Sequence, residues 1–320
     1  MCSVLRSLSL LLERKTNGYL ESKMSLTIIQ GHSSMKMFKV AVLLTCFNRK
    51  EKTFACLTQL FQQKLPHEWE LSVFVCEDQS SDGTLEMLEN DFPEVKVVRG
   101  NGQLYWGGGM RAAWNLAQTT GTYDFFLWLN DDTMLFEGAL FQLWKEYLQL
   151  QHTSILVGAC AVPGSEEFSY GGHEEGRLIH PNGCPQPIKF MNGNLVLIPS
   201  EIVERIGIIS SAYTHYLGDY DYGLRAQKAG FPCILSSKYL ASCAPNPVAD
   251  WANPRLSIVE RWRLANHTKG LAMKEFLHYK AVHYGRWMAV KSSLEIIGKV
   301  LHPAGYIKFR NRYHSLIHKN

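Results

Sequence analysis

The chain contains no run of about 18 or more apolar residues, so its sequence offers no stretch able to span a bilayer as a helix. Its eight cysteines, Cys2, Cys46, Cys56, Cys76, Cys160, Cys184, Cys233 and Cys243, form no Cys-x-x-Cys pair and no zinc-like spacing. That excludes the common structural zinc modules and fits reduced thiols packed in the core of a cytosolic protein. None of the 12 histidines falls into an HExxH pattern. A dinucleotide-type glycine fingerprint and a P-loop with its lysine are both missing. Net charge is only +4, with no basic run interleaved with aromatics, so nucleic acid is not an expected partner. Internal repeats and low-complexity tracts are absent, which removes solenoid and fibrous architectures. The short apolar opening, Val4 to Leu12, runs into Glu13-Arg14-Lys15 without a small-residue cleavage site, so a secretory leader is not expected.

What is present is a long chain of 320 residues, 46% hydrophobic, able to bury a large core. Residues 1–36 show weak periodicity and read as a poorly ordered extension. From Lys39 onward, apolar runs alternate with helical spacing. Val40–Leu44, Leu71–Cys76, Val95–Val98 and Tyr123–Leu129 read as strands; Lys50–Gln63, Leu85–Asn90 and Met110–Ala117 read as helices. Such alternation predicts an α/β fold with a largely parallel sheet. A helix is also expected over Leu135–Leu150. Further on, Ile155–Ala159 and Asn194–Ile198 read as strands separated by a Gly/Pro-rich loop, and helices are expected from Ser200 and over Tyr220–Ala229. Residues 246–320 read as a helical, basic extension after a domain spanning 37–245.

Three polar clusters follow apolar strands directly: Thr45-Cys46-Phe47-Asn48-Arg49, Glu77-Asp78 with Ser80 to Thr84, and Asn130-Asp131-Asp132-Thr133. In a parallel sheet the carboxyl ends of strands share one crevice, so all three clusters are expected on one rim. Adjacent hard oxygen ligands at such a rim suit Mg2+ or Mn2+ holding a diphosphate. The alternative for Asp131 and Asp132 is capping of the next helix, and for Ser80 to Gly83 ordinary turn chemistry. Gly107-Gly108-Gly109-Met110-Arg111 enters a helix; its backbone N–H groups and Arg111 could meet a phosphate, or the glycines could simply make a turn.

These segments, with Ala112-Ala113-Trp114-Asn115 after the glycines, together resemble glycosyltransferase family 2, in a rhamnosyltransferase-like branch, over about Lys39 to Cys243. The resemblance implies the GT-A fold, a mostly parallel central sheet flanked by helices with a C-terminal helical extension. It implies an inverting transfer from a nucleoside diphosphate sugar to a glycan or lipid-linked acceptor in surface polysaccharide biosynthesis. By it, Thr45, Phe47, Arg49, Glu77, Asp78, Gly107, Gly108, Arg111 and Asp131 border the donor, and Asp132 ligates Mn2+ or Mg2+. The pattern departs from the family at two places here: Glu77 stands where the family has Asp, and Asn130 where the metal motif has its first acid.

Tyr216-Leu217-Gly218-Asp219-Tyr220-Asp221-Tyr222-Gly223-Leu224-Arg225 resembles the family's acidic pair and Asp-x-x-x-Arg helix. Gly218 replaces the first acid, which leaves Asp219 aligned with the catalytic base; capping of the helix is its alternative role. Asn192, Gly193 and Asp221 are implied on the acceptor side. Trp251, Arg261, Trp262, Asn266, His267 and Lys269 form an aromatic and basic cluster that either completes the site or packs a helix. In the basic tail, Ile296, Ile297, Val300, Leu301, Tyr306, Ile307 and Phe309 alternate with Lys299, Lys308, Arg310 and Arg312, a pattern suited either to an anionic membrane surface or to a solvated helix. A cytoplasmic protein, peripheral at the inner face of the cell membrane, is the corresponding expectation. Two rivals stay open: a noncatalytic nucleotide-sugar or glycan-binding protein on the same scaffold, favoured by Asn130 and Gly218, and a nucleotidyltransferase, which lacks its Gly-rich Arg/Lys signature near the first strand.

Overall fold

A computed structural model describes residues 36–246 and 250–306. The first 35 residues of the expected N-terminal extension and Ile307, Lys308, Phe309, Arg310 and Arg312 of the basic tail lie outside the described residues. In chain order the elements are β1 (Phe38–Cys46), α1 (Lys50–Phe61), β2 (Trp69–Glu77), α2 (Thr84–Asp91), β3 (Lys96–Arg99), α3 (Tyr105–Thr120), β4 (Phe125–Leu129), β5 (Met134–Leu135), α4 (Ala139–Leu148), β6 (Ile155–Ala161), β7 (Phe168–Tyr170), β8 (Gly172–Glu174), β9 (Arg177–Ile179), β10 (Gln186–Ile188), β11 (Phe190–Met191), β12 (Leu195–Pro199), α5 (Ser200–Ile206), α6 (Gly218–Lys228), β13 (Cys233–Ser242), α7 (Ile258–Asn266), α8 (Met273–Tyr284) and α9 (Arg286–Leu301).

The main sheet runs β10-β13-β6-β12-β4-β1-β2-β3. Strands β4, β1, β2 and β3 are mutually parallel, while β12 is antiparallel to both β4 and β6. Alternation within β1 divides the core. Val40, Val42 and Leu44 face one apolar cluster with Leu57, Leu60 and Leu140, and Ala41 and Leu43 face another with Trp114, Trp128 and Tyr222. With both faces covered, the strands carry the uninterrupted apolar runs that made them visible in the sequence.

Three expectations are corrected. The helix expected from Leu135 begins at Ala139, because Met134 and Leu135 pair instead with Ser242 and Ala241 at the end of β13. The segment expected as one loop, Pro163–Pro187, carries β7, β8, β9 and the start of β10, and β8 and β9 join β11 in a separate small sheet. Strand β13 was not expected; its apolar pattern breaks at Ser236-Ser237-Lys238, where its pairing with β6 shifts register.

Two of the three glycines of α3, Gly107 and Gly109, are packing positions. A Cβ at Gly109 would lie 1.9 Å from Thr45 Oγ1, and one at Gly107 would lie 2.6 Å from the Tyr213 carbonyl oxygen. They let α3 press onto the end of β1 and onto the segment before α6. Gly109→Ala is therefore expected to destabilise the fold by about 1–3 kcal/mol through overpacking. A chain that also carries Thr45→Ala should recover part of that loss, as read by denaturant midpoints of the two single variants and the double.

Candidate functional site

Strand direction decides which residues meet. The carboxyl ends of β1, β2 and β4 lie on one edge, and β1 sits between β2 and β4, where chain connections leave in opposite directions along the sheet. Because β12 is reversed, its first residue Leu195 pairs with Leu129, the last of β4. The segment just before β12 thus arrives beside the segment just after β4: Asn130 N–H donates to the Asn194 carbonyl oxygen at 2.9 Å. The Asn194 amide donates in turn to Thr133 Oγ1 at 3.3 Å. Strand β13 ends on the same edge, so that Cys243 Sγ lies 3.6 Å from Asp132 Oδ1.

Trp106, on the first turn of α3, closes the space between the two halves of this rim. Its indole N–H donates to Asn130 Oδ1 at 2.8 Å, and its ring lies where a Cβ on Gly193 or Gly218 would fall, 2.5 Å and 3.3 Å away. Beyond it, Asp219 accepts from Gly193 N–H at 3.1 Å and from Tyr220 N–H at 2.9 Å. Asp132 and Asp219, far apart in sequence, are therefore joined through Thr133, Asn194 and Gly193 on one rim. Leu217, two residues before Asp219, holds a left-handed φ of 67°, a costly conformation for a branched side chain that turns the chain into α6.

Charge in this rim is compensated sparsely. Arg49 Nη1 donates to Asp131 Oδ1 at 3.0 Å and to Asp132 Oδ2 at 2.9 Å. Asp131 is nearly buried, and burial lifts its carboxyl to about 6; Arg49 draws it down and the adjacent Asp132 pushes it up. Burial also raises the Cys46 and Cys56 thiols well above their usual range and Cys243 to about 12, so all three stay neutral around the acids. Asp219 is half-buried, and burial raises it to about 6, partly offset by the two N–H groups it accepts.

Several expected site residues have protein partners. The Asp78 carboxylate accepts from the N–H groups of Asn101, Gly102, Leu104 and Tyr105, at 2.8 to 3.3 Å, and so fixes the loop entering α3. Neither Gly107 nor Gly108 offers a free N–H to a phosphate: these donate to the carbonyl oxygens of Thr214 and Leu104. Arg111 Nη1 donates to the Ser210 and Tyr213 carbonyl oxygens. Asp221 is buried between Arg225 Nε and His283 Nε2, each at 2.8 Å. Asn192 is tied to Gly171 through its own N–H and its Oδ1. Thr45 Oγ1 donates to the Cys76 carbonyl oxygen at 3.3 Å, and Phe47 is exposed at the rim. Glu77 is fully buried; one carboxylate oxygen accepts from Ser80 N–H and the other has no hydrogen-bond partner.

His215, which the sequence left unassigned, joins the rim beside Lys269 of the aromatic and basic cluster. The His215 ring stacks at an angle against Tyr216 and lies 5.7 Å from Tyr105, whose other neighbour is Lys269 Nζ at 6.0 Å. Burial lowers His215 to about 4, helped by the positive charges of Lys269 and Arg49, and its Nδ1 is buried without a partner. His215 stands just before the motif that begins at Tyr216, but a His that belongs to no His-bearing pattern gives no signal of its own.

Among the described residues, no three His, Cys, Asp or Glu side chains converge as a metal cluster. Asp132 nevertheless fits a divalent ion completed by diphosphate oxygens: Mg2+-type sites need only one or two carboxylates, and Asp132 Oδ1 meets only a weak thiol donor.

Residues 41–206, just over half of the chain, match the glycosyl transferase family 2 profile. Among solved structures, a mannosyltransferase from Pyrobaculum calidifontis, in complex with GDP-Man and Mn2+, is 14% identical over 93% of this chain and 86% of its own, with a TM-score of 0.49. GalNAc-T7 with UDP, GalNAc and Mn2+ is 12% identical, with a TM-score of 0.53, over 65% of this chain; the match spans 44% of that protein. No curated protein matches significantly. Together with the strand order described above, the matches show the GT-A glycosyltransferase fold.

The role of Asp78 is open to test. Asp78→Ala is expected to leave four N–H groups without their acceptor, at a total cost of about 2–4 kcal/mol once water replaces part of it. Hydrogen exchange read by mass spectrometry should speed up at residues 101–105 first; exchange unchanged there would mean that the carboxylate does not hold this loop.

Proposed function

The chain belongs to glycosyl transferase family 2, and on that premise we propose that it transfers a sugar, with inversion, from a nucleoside diphosphate sugar to a hydroxyl of a glycan or lipid-linked acceptor. Surface polysaccharide biosynthesis at the cytoplasmic face of the membrane is the setting we infer, with residues 37–245 as the catalytic domain. The observation that carries the proposal is the placement of Asp132 and Asp219 on one rim, bridged by Asn194 and Gly193 and separated by Trp106.

In this reading Asp219 is the base. Its carboxylate, aimed by the N–H groups of Gly193 and Tyr220 and made more basic by burial, takes the proton of the acceptor hydroxyl. The acceptor oxygen then bonds to the anomeric carbon from the face opposite the diphosphate, and the bond from that carbon to the diphosphate oxygen breaks with its electron pair leaving on phosphate. Arg49 and Lys269 supply positive charge beside the departing group. The exposed ring of Phe47 is suited to flank the nucleotide base, with Glu77 buried behind the loop that follows β2. Asp132 would hold Mn2+ or Mg2+, with Asp131 beside it; such an ion neutralises charge growing on the leaving diphosphate. GalNAc-T7, which shares the fold, was solved with UDP and Mn2+, and this supports a nucleotide and a divalent ion here. The rhamnosyltransferase-like motif pattern makes deoxyhexose donors the first to screen.

A noncatalytic donor-binding protein is the second reading, favoured by the Arg49 guanidinium that already bridges Asp131 and Asp132. Incubation with donor sugars separates the two, since only an enzyme releases nucleoside diphosphate.

Asp219→Asn is expected to lower turnover by about 10²- to 10⁴-fold while donor binding by calorimetry stays within error. In the parent protein, kcat/KM should fall as pH drops through about 6, because protonated Asp219 cannot accept the acceptor's proton. Turnover at the parental rate in Asp219→Asn removes it as base. Separately, Asp132→Ala should abolish the gain in donor affinity that Mn2+ confers; a gain equal to that of the parent chain assigns the ion to other ligands.

A further inference from the structure

Helix α9 has two apolar faces. Ser292, Ile296 and Val300 are buried, the last two packing with Ala265 of α7 and with Trp251. The sequence pattern had grouped Ile296 and Val300 with the residues available to a membrane; the fold turns both inward. A second set, Trp287, Val290, Leu294, Ile297 and Leu301, is exposed by 86, 48, 65, 42 and 58%. Steps of three and four residues place these five side chains on one stripe about 80° wide. Arg286 and Lys291 fall on either side of the stripe, and Glu295, the one acid of the helix, falls away from it. Helix α7, which packs on α9, adds exposed Val259 and Trp262. Soluble proteins rarely leave a continuous apolar stripe of this length in water unless something covers it.

Charge selects the occupant. From Lys274 to the end the chain carries nine Lys and Arg against Glu275 and Glu295, and Glu275 is engaged by the Thr214 N–H. A second copy docked on the stripe would bring up a helix of the same net positive charge, whereas an anionic lipid surface complements Arg286 and Lys291. No helix among the described residues is long and apolar enough to cross a membrane, so α9, about 24 Å long, suits the interface plane. A nearly bare Trp at one end of the stripe belongs at headgroup depth.

We propose that α9 docks on an anionic bilayer surface, with the Trp287 to Leu301 stripe dipped into the headgroup boundary and Arg286 and Lys291 on lipid phosphates. Docking of this kind needs no sugar transfer and stands apart from the enzymatic reading.

The test uses the full chain and vesicles of phosphatidylcholine alone or with about one third phosphatidylglycerol. Cosedimentation is expected with the anionic vesicles and at least about tenfold weaker with the neutral ones. Leu294→Glu, at an exposed position, should keep the melting temperature yet weaken anionic vesicle binding by at least about tenfold. A blue shift of Trp emission on vesicles should be smaller in Trp287→Phe. Failure of the full chain to bind, or undiminished binding by Leu294→Glu, overturns the proposal. So does a dimer, seen by analytical ultracentrifugation, that Leu294→Glu dissociates, since the stripe would then be covered by a second copy.

Discussion

Because β12 runs against both of its neighbours, its first residues arrive at the edge of the sheet where β4 and β13 end. Everything proposed for the rim depends on that reversal. With a parallel strand in its place, Gly193 and Asn194 would lie at the far edge, and Asp219, which is held by Gly193, would lose its link to Asn130 and Thr133. Trp106 then sets the spacing. Its ring fits because position 193 carries no side chain, and Gly218 gives it further clearance on the other side.

The electrostatics of the rim follow from dryness. Two adjacent carboxylates share one guanidinium, and the thiols around them stay protonated because a thiolate there would face both burial and like charge. Asp131 is buried, and that burial lifts its carboxyl to about 6. A cation arriving with a diphosphate would meet an arrangement already organised around positive charge, and Arg49, whose side chain is over one third exposed, has room to turn toward the phosphates.

How much of this could be read in the sequence depended on the kind of signal. Strands β1, β2, β4, β6 and β12 are buried on both faces and appear as plain apolar runs, and the polar clusters that follow β1, β2 and β4 sit together as the sheet's direction requires. Strand β13 escaped notice because two serines and a lysine interrupt it at a register shift. The glycines of α3 were ambiguous for a physical reason: a chain that must approach a phosphate and one that must approach its own backbone make the same demand for a missing Cβ. That Asp78 holds four amides of its own loop gave no separate signal, because a carboxylate after a strand is the same residue whichever partner it meets. His215 matches no residue of the motif that follows it, and Lys269 comes from a cluster whose sequence fits either a ligand or helix packing; the fold brings both to Tyr105.

The buried link between α6 and α8 reaches further than its size suggests. Burial alone would raise Asp221, yet the hydrogen bonds from His283 and Arg225 outweigh it and hold the carboxyl below its usual range. Arg225 also clamps the Ile206 and Ile208 carbonyl oxygens, so one cluster pins the start of α6 to the segment before it. Trimming the chain to a minimal fragment near residue 245 would therefore remove the His283 hydrogen bond from the buried Asp221 carboxylate, two residues from Asp219, and leave Arg225 to hold it. Helix α8 thus braces the helix that carries Asp219, and a shortened recombinant version should be drawn with its boundary beyond His283.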